Sequence, residues 1–305
     1  MELAIETEGL SKSYRRLVAV NHLKLEVPQG EVFGLLGPNG AGKTTTIMML
    51  LGNVRPSSGQ ARLLGKPIGD VATRRLVGFL PELFQFHGFL TATEFLHFQG
   101  KLSRMDAATR ARRVPEVLAR VGLTAFAKTR IKEFSKGMQQ RIGLAQAILH
   151  DPQLVILDEP TSALDPIGRR DVRDVILDLR TQGKTVLVNS HLLSEIEMTC
   201  DRVAIINRGR VAIQGTIQEL LASTSTVEVE VLGMNDAAMA AVRQVAVKLR
   251  LERVPITRFT AWVREESDIP ELARALVENG VRLIALVPQR ETLESLFIRV
   301  IEGEE

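Results

Sequence analysis

Residues 37 to 44 read Gly37-Pro38-Asn39-Gly40-Ala41-Gly42-Lys43-Thr44, and every other reading of this chain works outward from that stretch. It fills the pattern of a glycine, four free positions and Gly-Lys-Ser/Thr at Gly37, Gly42, Lys43 and Thr44. The apolar run Val32-Phe33-Gly34-Leu35-Leu36 leads in, and Thr45 to Leu51 follows with helical character. A strand, a glycine-rich turn and a helix N-terminus in that order form a phosphate cradle. Successive backbone N–H groups point into the turn, and the helix dipole adds partial positive charge. Lys43 has the length to reach terminal phosphates, and the Thr44 hydroxyl suits the Mg²⁺ that travels with ATP. A glycine turn matching by accident is the bland alternative, and the strand-then-helix context argues against it.

Composition sets the frame. At 305 residues the chain is long for one α/β core and comfortable for two domains. Its formal charge of +3 is too mild to indicate nucleic acid as a partner. The lone Cys200 excludes an intramolecular disulfide, fits a reducing compartment and reads as a small buried hydrophobe. The start, Met1 to Glu6, lacks the basic and apolar blocks of a secretory signal. No apolar run approaches the roughly 20 residues that cross a bilayer, so any membrane role is expected through a partner.

Alternating apolar positions over residues 3 to 30 predict half-exposed antiparallel strands. Residues 91 to 150 read as helical, within a helical subdomain expected over about 83–150. Leu154 to Leu157, Thr185 to Val188 and Val203 to Ile206 are short continuous apolar runs, the signature of buried parallel strands. Pro166 opens a helix to about Gln182, where its missing N–H costs nothing. The pattern breaks at Ser223 to Thr226, read as a linker over 223–226 after a first domain of residues 1–222. Residues 227–305 then predict a small α+β domain: a strand from Val227, a helix over Ala237–Leu249 and a strand over Ile256–Val263. A helix over Ile269–Glu278, a strand over Val281–Val287 and a last helix over Glu291–Ile301 follow.

The run Leu154 to Leu157 ends in Asp158-Glu159, two carboxylates at the carboxyl end of a central strand. Asp158 suits the Mg²⁺ shell, and Glu159 suits a general base that polarises an attacking water. A strand followed by an acidic helix cap is the bland alternative, and its pairing with the phosphate loop weakens it.

Here the sequence resembles the nucleotide-binding subunits of ABC transporters. Phe134-Ser135-Lys136-Gly137-Met138, followed by Gln139-Gln140-Arg141, is similar to the family signature Leu-Ser-Gly-Gly-Gln. Ser162-Ala163-Leu164-Asp165 follows the carboxylates as the family's D-loop does, His191 follows a buried strand as its switch histidine does, and Tyr14 lies where an adenine-stacking aromatic is kept. The resemblance covers residues 3 to 220. It implies a phosphate-loop ABC ATPase core, with an antiparallel β subdomain and a helical subdomain. It also implies that Gly37 to Thr45 hold one face of ATP while Ser135, Lys136, Gly137, Met138 and Asp165 of a second subunit close the other, in a homodimer or heterodimer. Left alone, Ser135 simply caps its helix, and His191 and Tyr14 have ordinary packing roles as alternatives. His22, His87, His97 and His150 show no ligand spacing.

Two departures stand out. After Gly78-Phe79-Leu80-Pro81 the family usually has Gln, and this chain has Glu82, a hard ligand that places charge near Glu159. Lys136 and Met138 replace the usual Gly and Gln. Both features resemble the export-type subgroup, whose members often carry a small C-terminal α+β domain. Six of the 11 phenylalanines, Phe79 to Phe98, crowd beside Glu82; Phe84, Phe86 or Phe89 is expected to line a groove for a membrane subunit, with a helical core as the alternative. The resemblance thus implies an ATP- and Mg²⁺-dependent ATPase subunit of an exporter, docked on a separate transmembrane permease at the cytoplasmic face of the cell membrane. A soluble ABC ATPase acting on ribosomes or DNA is the alternative. One phosphate loop, no sustained heptads and no basic tract count against it.

Overall fold

Apolar alternation over the first 28 residues builds two long antiparallel strands, β1 (Leu3–Tyr14) and β2 (Leu17–Pro28). The structure, a computed structural model, describes residues 2–15, 17–84, 86–221, 225–252, 257–289 and 292–302. The chain continues through β3 (Val32–Leu36), α1 (Lys43–Leu50), β4 (Ser58–Leu63), β5 (Lys66–Pro67), α2 (Val71–Arg74) and β6 (Val77–Leu80). Strands β2, β1, β4 and β5 pair in that order as one antiparallel sheet.

A helical region follows: α3 (Ala92–Leu102), α4 (Ala107–Arg120) and α5 (Lys136–Ile148). Each opens on a side chain that satisfies an orphan N–H. Thr91 and Glu94 form a reciprocal capping box on α3, Asp106 caps α4, and Ser135 caps α5. Phe84, Phe86 and Phe95 pack ring on ring, with centroids 4.3, 5.6 and 6.2 Å apart. Phe86, half-buried, therefore packs against the buried Phe95, in line with the helical-core alternative, whereas Phe84 is half-buried and Phe89 is 72% exposed.

The second sheet is completed by β7 (Leu154–Asp158), α6 (Pro166–Thr181), β8 (Thr185–Asn189), α7 (Leu193–Thr199), β9 (Arg202–Asn207) and β10 (Arg210–Thr216). Its order is β10-β9-β3-β8-β7-β6, with parallel neighbours from β9 to β6 and antiparallel β10 at the edge. Every residue of β3, β7 and β8 is buried, which is why those strands read as unbroken apolar runs. Strand β10 and helix α7 have no counterpart in the sequence reading.

Residues Met1–Thr216 with Val300–Glu305 cluster as one unit, and Ile217–Arg299 as another. The second unit starts at α8 (Ile217–Leu221) and continues with β11 (Ser225–Leu232), α9 (Asp236–Val245), β12 (Lys248–Glu252), β13 (Thr257–Val263), α10 (Ile269–Glu278) and β14 (Arg282–Gln289). Helix α11 (Leu293–Glu302) ends the described chain. Of the expected linker, residues 225 and 226 open β11 instead, and 223 and 224 lie outside the described residues, as do Ile256 and Glu291. The helix expected over Ala237–Leu249 stops at Val245, because Lys248 to Glu252 pair with β13. The sheet order β12-β13-β11-β14, all antiparallel, with α9 and α10 as crossovers, is the split βαβ arrangement. Val227, Val229, Val231, Phe259, Leu272 and Leu276 share its core.

His150 follows α5 half-buried, its Nε2 3.2 Å from the Val77 carbonyl oxygen. Burial pushes its pKa below the ordinary 6.5, while the Val77 carbonyl and Asp151 pull it up and Arg113 pushes it further down. A histidine held neutral in the fold contributes stability that is complete above its ordinary pKa and is lost as pH falls through that value. His150→Gln, which keeps an N–H for Val77, is expected to flatten the fall in Tm between about pH 7 and pH 5. Thermal melts across that range check this, and an unchanged slope would count against it.

Candidate active site at the carboxyl edge of the central sheet

The phosphate loop starts where β3 ends and passes so close to its neighbours that two of its glycines have no substitute. A Cβ on Gly37 would lie 2.3 Å from the Ile206 carbonyl oxygen, and one on Gly42 would lie 2.4 Å from that of Ala19. Gly42, at φ 103°, also has a backbone that side chains rarely adopt. Pro38, Asn39, Gly40 and Ala41 form the turn between them, and the Ala41 N–H donates back to the Pro38 carbonyl at 3.1 Å. Helix α1 opens at Lys43, with Thr44 exposed and Thr45 half-buried in its first turn. Lys43 Nζ donates to the carbonyls of Gly37 (2.7 Å) and Pro38 (3.1 Å), which folds the ammonium across the loop. Burial lowers its pKa from the ordinary 10.5, and the fields of Glu159, Asp158 and Glu82 oppose that.

Parallel pairing of β7 with β8 sets Asp158 opposite Asn189. The Asp158 side chain is 1% exposed and accepts a bond from Asn189 Nδ2. Burial raises its pKa, and the Asn189 bond holds part of that rise back. Asn189 Oδ1 is buried with no hydrogen-bond partner among the described residues. Glu159 follows in the left-handed region, at φ 53°. Its Oε2 meets His191 Nδ1 at 2.7 Å, and its N–H donates to the Asn189 carbonyl at 2.8 Å. Its carbonyl accepts from Gln140 Nε2 at 3.0 Å. Burial raises the Glu159 pKa first, His191 lowers it, and Asp158 and Glu82 add to the rise. Lys43, Glu82, Asp158, Glu159 and His191 thus share one electrostatic neighbourhood, with Glu82 and His191 on its exposed side.

The signature residues lie elsewhere on the same unit. Ser135 Oγ accepts the Met138 N–H at 3.2 Å as the cap of α5, and Lys136 is exposed. Gly137 faces Leu164, where a Cβ would approach Leu164 Cδ2 to 3.2 Å, and Met138 is half-buried in the same turn. Asp165 caps α6 through Oδ1, which accepts the Gly168 N–H at 2.8 Å. Tyr14 is 44% exposed, with Lys12 Nζ 5.0 Å from its ring centroid. Asn189 and Gln140 were not singled out in the sequence. A polar residue closing the buried run Thr185 to Val188 was the available signal for Asn189, and Gln140 had none beyond following the signature.

Residues 20–162 match the ABC transporter family model. The uncharacterised ABC transporter ATP-binding protein YxlF of Bacillus subtilis (strain 168) is 45% identical over 310 residues, covering 98% of this chain and 100% of that one. The bacitracin transport ATP-binding protein BcrA of Bacillus licheniformis is 34% identical over 308 residues, covering 99% of each. A solved structure described as the ATP binding subunit of an ABC transporter superposes with a TM-score of 0.66 and is 30% identical, covering 71% of this chain and 91% of that one. Relatives that match from end to end favour a transporter subunit over a soluble ATPase acting on ribosomes or DNA. With a phosphate loop, paired carboxylates and a facing histidine at one sheet edge, the chain belongs to the ABC transporter ATP-binding proteins, the ATP-hydrolysing subunits of these transporters.

Proposed function

We propose that this chain hydrolyses ATP between its own phosphate loop and the signature face of a second subunit, and so drives export through a separate transmembrane permease at the cytoplasmic face of the membrane. The observation that carries the reading is the 2.7 Å contact between His191 Nδ1 and Glu159 Oε2, beside Asp158 and Lys43. Glu159 is the general base: burial raises its proton affinity toward the working range, and His191 steadies its charged form. Lys43 offsets the charge that develops on the transferred phosphoryl oxygens.

Thr44, Glu82 and Asp158 offer the hard oxygen donors that Mg²⁺ prefers. The donor set fits, since Asn189 orients the buried Asp158 carboxylate and keeps its own Oδ1 without a partner among the described residues. Mg²⁺ bound there neutralises phosphate charge. Ser135 uses a lone pair to cap α5 through the Met138 N–H and keeps its hydroxyl proton to donate to the opposing phosphate, with the amides of Lys136 and Gly137 beside it. Asp165 anchors the segment that faces the second subunit. Lys12 covers one face of Tyr14, so adenine stacks on the other. Whether the second subunit is identical or a relative follows from what the membrane subunit pairs.

A cleft of about 520 Å³ lined by Val71, Arg74, Pro81, Phe84, Leu102 and Arg104 supports the permease contact. It combines exposed apolar side chains, Leu102 at 64% and Val71 at 65%, with basic residues at its rim. No helix among the described residues is long and apolar enough to cross a membrane. The Nod factor export ATP-binding protein I of Paraburkholderia xenovorans (strain LB400), 39% identical over 306 residues, supports export as the direction.

Three outcomes test this reading. Glu159→Gln should leave ATP binding intact and lower kcat by about 10²- to 10⁴-fold in the assembled transporter; retained turnover would remove Glu159 as the base. Glu82→Gln should move the Mg²⁺ titration of ATPase activity to higher concentration, and a superimposable titration would take Glu82 out of the metal site. Leu102→Glu should abolish co-purification of the membrane subunit in mild detergent while nucleotide binding persists. Undiminished co-purification would relocate the contact.

A further inference from the structure

Glu159 is held in the left-handed region by bonds at both ends of its backbone. Its N–H donates to the Asn189 carbonyl at 2.8 Å, which ties it to the end of β8. Its carbonyl accepts two local bonds from Ser162, Oγ at 3.2 Å and N–H at 3.4 Å, and one from Gln140 Nε2 at 3.0 Å, across 19 residues of sequence. A left-handed backbone on a residue with a Cβ costs on the order of 1–2 kcal/mol and persists only where the surroundings fix it. If the 159–160 peptide turns, Cα–Cβ of Glu159 swings, and Oε2 leaves His191. Gln140 is the one donor from another element that holds this carbonyl among the described residues, and it does not touch the carboxylate.

Gln140 sits on α5, five residues after the cap Ser135, about 7.5 Å along a rigid helix at 1.5 Å per residue. Its neighbour Arg141 pairs with Asp171 of α6 at 3.6 Å, which further fixes the helix beside the strand end that carries Glu159. The same helix carries the signature residues at its start and sends the Gln140 side chain to the main chain of Glu159.

We infer that Gln140 is a positioning residue for Glu159, linking the signature helix of each subunit to that subunit's own general base. The inference rests on the ATPase reading above. Closing of the signature face on the opposing nucleotide moves α5, and α5 carries the donor that sets the carboxylate on its water. The two nucleotide sites of a dimer are then coupled inside each chain, in addition to any contact across the interface.

The test measures kcat and KM for ATP of the assembled transporter, with melting temperature as a control. Gln140→Met keeps length and apolar bulk but removes the donor. It is expected to lower kcat about tenfold or more, as small misplacements of catalytic groups do, with KM within about twofold and Tm unchanged. Gln140→Arg, which restores an N–H of sufficient reach, should recover part of kcat. Full kcat in Gln140→Met, or an equal loss in the Met and Arg variants, overturns the inference. Should Gln140→Met fail to fold, Gln140→Glu keeps the side chain's size but sets an acceptor against the Glu159 carbonyl; a lowered kcat at constant KM supports the inference and an unchanged kcat overturns it. An active wild type with an unaffected Gln140→Met sinks this inference alone, whereas a wild-type complex without hydrolysis sinks the ATPase reading and this inference with it.

Discussion

Backbone-to-backbone contact at two points shapes everything around the nucleotide loop. Gly37 lies against the Ile206 carbonyl of β9, and Gly42 against the Ala19 carbonyl of β2. Any side chain at either position would collide with a main-chain oxygen of a strand. The loop therefore takes its curvature from the two sheets that flank it, and α1 begins where those sheets direct it. Lys43, as first residue of that helix, points back over the loop rather than away from it.

The same sheet edge gathers charge at a cost in desolvation. Asp158 and Glu159 both bind protons more tightly than free carboxyls, because burial outweighs the help from Asn189 and His191. Lys43 loses protons more easily for the same reason. Opposite shifts in neighbouring acid and base groups are expected where a site trades folding stability for reactivity. Asn189 belongs to this balance, since its amide N–H is spent on Asp158 while its oxygen is held inward.

Much of this was legible in the sequence because it is local. The phosphate loop, the run into Asp158 and Glu159, and the proline that opens α6 announce themselves through adjacent residues. The capping role of Ser135 is equally local. Other features depend on contacts distant in sequence. Lys248 to Glu252 have the composition of a helix extension, yet pairing with β13 makes them a strand. Helix α7 is short and weakly patterned, and β10 alternates exposed and half-buried residues at a sheet edge. Asn189 becomes a site residue only through the register that sets it beside Asp158, and Gln140 only through the fold of α5 onto the strand end. The aromatic cluster of Phe84, Phe86 and Phe95 shows the same limit, since a crowded sequence does not say which rings face inward.

Glu159 combines a left-handed backbone with a buried carboxylate. Both features would be relieved at once by glycine, which adopts that backbone freely and carries no charge. Selection for heat resistance alone would therefore favour erasing the residue assigned here as the base. A thermostable variant of this protein found without an activity screen deserves sequencing at position 159 first, because there the fold and the reaction want different amino acids.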